Sequence, residues 1–183
     1  MKGQDVLSVI LISGILIGVV GSVYFWGVPL IQKNKDIATL ENGEDFIRNL
    51  NNKIKNVANS GGRDQLIVNI PGLLNFDGTE IRFDIDTDGT IYAANAEVQL
   101  GRNPCTATTG IFGSNDPDVI CVKSQKLGDS AFRTTYTLKY LILRSPDIQR
   151  DFAIALTGAQ RRGGLESTVI IENRGSTSTV QPG

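Results

Sequence analysis

The chain has 183 residues, carries 18 Lys and Arg against 19 Asp and Glu, and contains no histidine. A net charge of −1 leaves no basic surface for nucleic acid. The missing imidazole removes the commonest general base, the commonest metal ligand and every Ser-His or Cys-His nucleophile pair, so neither catalytic residues nor an enzyme is expected.

Met1-Lys2-Gly3-Gln4-Asp5 precedes a stretch, Val6 to Ile31, of 26 residues without one charged side chain. A bilayer core needs about 20 apolar residues in a helix, so this run is long enough to span it. A cleaved secretory signal has an apolar region of roughly 7–15 residues and a small-residue exit. This run is longer and ends in Val28-Pro29-Leu30-Ile31, so it reads as a retained membrane helix. Beyond it remain about 150 residues, enough for one domain with its own core.

Inside the run, Gly14, Gly18 and Ser22 recur at intervals of four, with Gly21 beside them. Small residues at that spacing share a face and let another helix approach closely. The other reading is that Gly is common in membrane helices generally. Tyr24, Phe25 and Trp26 stand where an aromatic belt would meet the interface, and Pro29 is expected to kink the helix there. A run without an ionisable residue argues against an ion or proton pathway. Lys2 lies before the run, and Lys33 and Lys35 after it, so charge alone does not fix orientation.

Asp36 to Asn59 predicts an amphipathic helix, because Ile37, Leu40, Ile47, Leu50, Ile54, Val57 and Ala58 fall at spacings of three and four. Gly43 interrupts that stripe at a cost of about 1 kcal/mol and is expected to bend it. Asn59-Ser60-Gly61-Gly62 is a helix stop. If both segments join, residues 5–59 form one rod of roughly 80 Å.

From Gln65 the period changes to two. Leu66 to Ile70 ends at Pro71-Gly72, and Ile81, Phe83 and Ile85 alternate with Arg82, Asp84 and Asp86. Asp88-Gly89 predicts a tight hairpin into Thr90-Ile91-Tyr92-Ala93. Val119 to Lys123, Thr134 to Arg144, Phe152 to Leu156 and Ser167 to Glu172 predict further strands. The fold class is therefore α+β: a long N-terminal helix, apolar in its first half and amphipathic in its second, followed by an antiparallel β-sandwich-like domain. Gly101 to Pro117 is a long loop, and Gly175 to Gly183 a polar tail.

Cys105 and Cys121 have 15 residues between them. A disulfide in an oxidising, extracellular setting is the preferred reading, and two buried thiols the alternative. A zinc site would lack its other ligands. Asp84-Ile85-Asp86-Thr87-Asp88-Gly89 matches the first half of a calcium loop, with alternate carboxylates as oxygen donors and Gly for the turn. Thr90 would add a carbonyl, but the twelfth position is Asn95 rather than Glu and β segments flank the run. The competing reading is a hairpin turn with an acidic face, so calcium is kept only as a possible ligand of Asp84, Asp86 and Asp88. Asp116-Pro117-Asp118 and Arg161-Arg162-Gly163-Gly164 read as turns, and no phosphate-binding loop pattern occurs.

Lys2-Gly3-Gln4 followed by the unbroken apolar segment resembles the class III signal peptide of archaeal type IV pilin-like proteins. Lys53-Ile54-Lys55-Asn56-Val57-Ala58-Asn59-Ser60-Gly61-Gly62 is also similar to theirs. The resemblance implies that a prepilin peptidase cuts between Gly3 and Gln4 on the cytoplasmic side, making residues 1–3 a leader. Residues 4–35 would then be a membrane helix that becomes a filament core, 36–62 its amphipathic continuation, 63–174 an extracellular β domain and 175–183 a flexible tail. It further implies self-association on the cell surface through Gly14, Gly18, Gly21 and Ser22, aided by pilus assembly machinery. Many relatives carry an acid at the fifth mature position, where this chain has Ser8; its nearby acid is Asp5. Two other readings stand beside this one. One is an uncleaved, membrane-anchored β domain that binds a surface-layer or filament-machinery partner. The other is a calcium- or carbohydrate-binding adhesin.

Overall fold

The computed structural model describes the backbone of residues 2–76, 80–106, 111–112, 119–129, 131–139, 142–144, 151–152, 154–157 and 167–173. It describes the side chains of residues 8–58, 60–76, 80–106, 119–129, 131–139 and 168–173. Met1, the Asp116–Asp118 turn, the Arg161–Gly164 turn and the tail from Gly175 lie outside the described residues.

The two predicted helical segments are one helix, α1 (Lys2–Ser60), of 59 residues with Pro29 inside it. At 1.5 Å per residue it is about 90 Å long. Proline costs a helix one N–H and its bond, and here the helix continues on both sides of it. The stop falls where the sequence puts it. Gly61 and Gly62 have φ of +75° and +87°, a left-handed exit that other residues enter at a cost. The Gly61 N–H donates to Val57 O at 2.9 Å. The backbone N–H of Asn173 donates to Gly62 O at 3.0 Å, and its side-chain amide to Val57 O at 3.2 Å, so the last strand is tied to the helix end.

Among the described residues, eleven strands follow. β1 (Arg63–Val68), β11 (Ser167–Asn173) and β10 (Ile154–Thr157) form an antiparallel sheet in the order β1-β11-β10. A five-stranded antiparallel sheet has the order β2-β3-β7-β6-β4, with β2 (Leu73–Phe76), β3 (Glu80–Thr87), β4 (Glu97–Gln99), β6 (Ile120–Lys126) and β7 (Phe132–Lys139). The third sheet is β5 (Ile111–Phe112), β8 (Ile142–Arg144) and β9 (Asp151–Phe152), with β5 and β8 parallel. The class is α+β, one long helix followed by mainly antiparallel sheets.

Four strand expectations need correction, one of them Phe152–Leu156, whose two ends belong to β9 and β10 in different sheets. Thr90–Ala93 is not a strand, and Asp88-Gly89 does not close a hairpin. Both edges of β3 are already filled, by β2 from Leu73↔Asp84 to Phe76↔Ile81 and by β7 from Glu80↔Lys139 to Thr87↔Phe132, so the chain after Thr87 leaves the sheet. Thr134–Arg144 is not one strand: β7 ends at Lys139, and Ile142–Arg144 belongs to another sheet. β2, β4 and β5 were not foreseen, and β5 lies within the expected loop from Gly101 to Pro117.

The core is helix laid on sheet. α1 contacts β1, β3, β7 and β11. Its Leu40, Phe46, Ile47, Leu50, Ile54, Val57 and Ala58 are buried in one cluster with Ile81, Phe83 and Ile85 of β3, Tyr136 and Leu138 of β7, and Val169 and Ile171 of β11. The Phe46 and Phe83 rings meet at 4.9 Å between centroids. Gly43 lies at the closest approach, where a Cβ would stand 2.5 Å from Ile85 Cδ1 and 3.1 Å from Tyr136 Cε2. Its propensity cost is the condition for seating the helix on β3 and β7. The predicted stripe was right, and its glycine is a contact point rather than an interruption.

Candidate functional site

Along the first half of α1, every large apolar side chain from Val9 to Ile31 is exposed, Ile17 at 73% and Trp26 at 80%. These residues face all directions, because consecutive positions of a helix turn by about 100°. A surface of this size is far beyond the few hundred Å² of contiguous apolar patch that a free soluble monomer tolerates. Among the described residues this is the one helix long and apolar enough to cross a membrane, and its most apolar window is not buried by the rest of the chain.

The predicted packing residues sit on this rod without neighbours. A Cβ added at Gly14, Gly18 or Gly21 would meet nothing within 4 Å. Ser22 Oγ donates to Gly18 O at 2.8 Å, which satisfies the hydroxyl within its own helix and leaves a smooth face. Lys2, Gly3 and Gln4 form the first turn of α1, so the expected cut falls inside helical backbone; their side chains lie outside the described residues.

Where the rod meets the domain, a polar network that sequence reasoning missed joins helix to sheet. Tyr136 OH, in a fully buried residue, donates to Leu40 O at 2.7 Å and lies 3.3 Å from Tyr92 OH. Tyr92 OH donates to Glu44 Oε2 at 3.1 Å. Arg48 reaches Glu44 Oε1 at 2.9 and 2.7 Å through Nε and Nη2, and its Nη2 also donates to Leu100 O at 3.1 Å. Burial pushes both phenols above the ordinary tyrosine range, with the Glu44 charge adding to the effect on each. The partners stand up to 96 residues apart, so no local motif announces them. Further along, Lys53 Nζ pairs with Asp64 at 2.7 Å. That hydrogen bond, and a second from the Gln65 N–H, hold the exposed Asp64 carboxyl below its usual range.

Cys105 and Cys121 are joined in a disulfide with Cα atoms 5.9 Å apart, tying the chain after β4 to β6. The Glu97 carboxylate lies within 4.8 Å of both sulfurs, but atoms bonded to each other are not thiolate ligands. The expected calcium loop is a strand and its exit. Asp84 and Asp86 lie on β3, where alternate residues share a face about 7 Å apart, and each is committed to the neighbouring strand. Asp84 accepts from Thr135 Oγ1 at 2.6 Å. Asp86 accepts from Arg133 Nε and Nη2 at 2.8 and 2.9 Å. Among the described residues the three carboxylates do not gather into a ligand set.

A cleft of about 330 Å³ lies between α1 and the end of β1, lined by Asn42, Asp45, Asn49 and Asn69 among others. Its aromatic residue, Phe46, is buried in the core rather than presented as a stacking platform. No family model, no curated protein and no solved structure matches the chain.

Proposed function

We propose that this chain is a structural subunit of a type IV pilus-like filament, held in the membrane by the first half of α1 and packed there against copies of itself after assembly. The observation that carries the reading is the division of α1 into a rod exposed around its whole circumference and a continuation whose one face is buried. Lipid tails cover such a rod before assembly, and neighbouring rods cover it afterwards. The exchange is close to neutral in hydrophobic terms, so close contact across Gly14, Gly18, Gly21 and Ser22 supplies the preference for the bundle. The resemblance of Lys2-Gly3-Gln4 to a class III signal supports a prepilin peptidase as processing partner, with mature residue one at Gln4.

Amino-terminal sequencing and electron microscopy of shear-detached surface material test this. The expected result is filaments whose subunits begin at Gln4, and their loss when Gly3→Val blocks processing. Filaments of normal abundance and length from Gly3→Val would remove the cleavage claim. Ser8, standing where many relatives carry an acid, favours a second reading, an uncleaved anchor for an external β domain. A surface protein starting at Met1, with no filaments, selects that reading.

A further inference from the structure

Among the described residues, Asp36 is the one Asp, Glu, Lys or Arg that is buried, at 6% exposure. It stands on α1 where the apolar rod gives way to the domain. Gln32 Nε2 donates to its Oδ1 at 3.0 Å, and no described residue donates to Oδ2. Lys33 and Lys35 are exposed and form no ion pair with it among the described residues. Leaving a buried carboxylate oxygen without a partner is costly.

Oδ2 is aimed at the connection that leaves β3. A Cβ on Gly89 would stand 3.4 Å from it, so a side chain there would screen the oxygen from the turn, and glycine leaves the approach open. The neighbouring Asp88 is exposed, and its carboxylate has no ion pair or hydrogen bond with a described residue. Asp84 and Asp86, in contrast, are both engaged. Of the three carboxylates in the Asp84–Gly89 run, only that of Asp88 has no partner among the described residues. The turn also supplies carbonyl oxygens. Gly89 O accepts from Thr87 Oγ1 at 2.7 Å, which leaves it a second lone pair. Hard divalent cations of the calcium class take such a mixture of carboxylate, carbonyl and water oxygens.

We propose that Asp36 Oδ2, the Asp88 carboxylate and the carbonyls around Gly89 bind a divalent cation of the calcium class, fastening the connection after β3 onto α1 at its exit from the rod. The proposal does not depend on the filament reading, since a monomeric anchor would carry the same joint.

The test uses the full chain in detergent micelles, melted with excess calcium chloride and with chelator. At a hundredfold excess over Kd, calcium is expected to raise the melting temperature by about 5–10 °C. Asp86→Asn is expected to keep that shift, and Asp36→Asn and Asp88→Asn to lose it. Coincident melts of the unaltered chain in calcium and chelator would overturn the proposal, as would a shift that survives both Asp36→Asn and Asp88→Asn. If Asp36→Asn does not fold, Asp88→Asn and a calorimetric calcium titration of the unaltered chain decide. One site per chain, lost in Asp88→Asn, supports the proposal, and an absence of saturable heat defeats it.

Discussion

The two halves of α1 share one backbone geometry and differ in what covers them. From Leu40 to Ala58 a single stripe is buried against β1, β3, β7 and β11, while the opposite face is polar. From Val9 to Ile31 there is no stripe, because every direction is apolar and every large side chain is exposed. The difference separates two uses of hydrophobicity. In the second half, burial within the chain stabilises the fold. In the first half no described residue of the chain covers the apolar surface, so its side chains add nothing to the fold by burial. Polar satisfaction follows the same division, with Ser22 bonded back to its own helix and Leu40 O shared with Tyr136.

The strongest way to break this contrast is to truncate one apolar side chain in each half. Leu50 is fully buried, and Leu50→Ala should lower the unfolding free energy of the domain by about 2–5 kcal/mol. Ile17, at 73% exposure, has no such contacts, and Ile17→Ala should leave the domain within about 0.5 kcal/mol of the parent. Denaturant titration in detergent, followed by near-ultraviolet circular dichroism, reads both. Equal losses would mean that the rod folds back onto the domain.

Glycines sharpen the comparison at a smaller scale. Gly43→Ala forces a methyl to within 2.5 Å of Ile85 Cδ1, and overpacking of this kind costs about 1–3 kcal/mol. Helix propensity returns up to about 1 kcal/mol, so a net loss in melting temperature is expected. Gly14→Ala meets nothing in its own chain, so the same methyl should leave the domain's melting temperature unchanged. If Gly14→Ala nevertheless impairs assembly, the face it carries is in contact with another rod.

How much of this was legible follows the range of each signal. The apolar run, the stripe from Leu40 to Ala58 and the stop at Gly61-Gly62 are local patterns, and the helix is built from them. Alternation located β3 because Ile81, Phe83 and Ile85 face the core. It failed at Asp88-Gly89, since a turn signal says nothing about whether the strand edge is already taken by β7, whose residues come some 50 positions later. β4 was invisible because Glu97-Val98-Gln99 contains a single apolar residue and is held by pairing with β6. Asp84 and Asp86 looked like metal ligands because sequence spacing cannot reveal Thr135 and Arg133 across the sheet. The Tyr92–Tyr136 contact was beyond reach for the same reason.

That tyrosine pair gives the smallest expected effect at neutral pH and ties the buried half of α1 to an observable the exposed half does not share. Tyr136→Phe keeps the ring beside Gly43 but removes the hydroxyl that donates to Leu40 O and touches Tyr92 OH. Leu40 O keeps its place in the helix ladder, so the cost at pH 7 should be about 1 kcal/mol. The pH dependence is more telling. Both phenols are raised in the folded chain, while the unfolded chain releases its tyrosine protons near pH 10. Below that pH both states hold the protons and this stabilising contribution is fully present. Above it the unfolded chain binds fewer protons than the folded one, so stability falls as pH rises toward the folded values, by up to about 1.4 kcal/mol per pH unit for each fully protected phenol. Thermal melts from pH 9 to 11 should therefore show a steep alkaline loss in the parent and a shallower one in Tyr136→Phe, with the two curves converging as pH rises. Parallel curves would mean that Tyr136 exchanges its proton freely, and that the joint between helix and sheet is open to water.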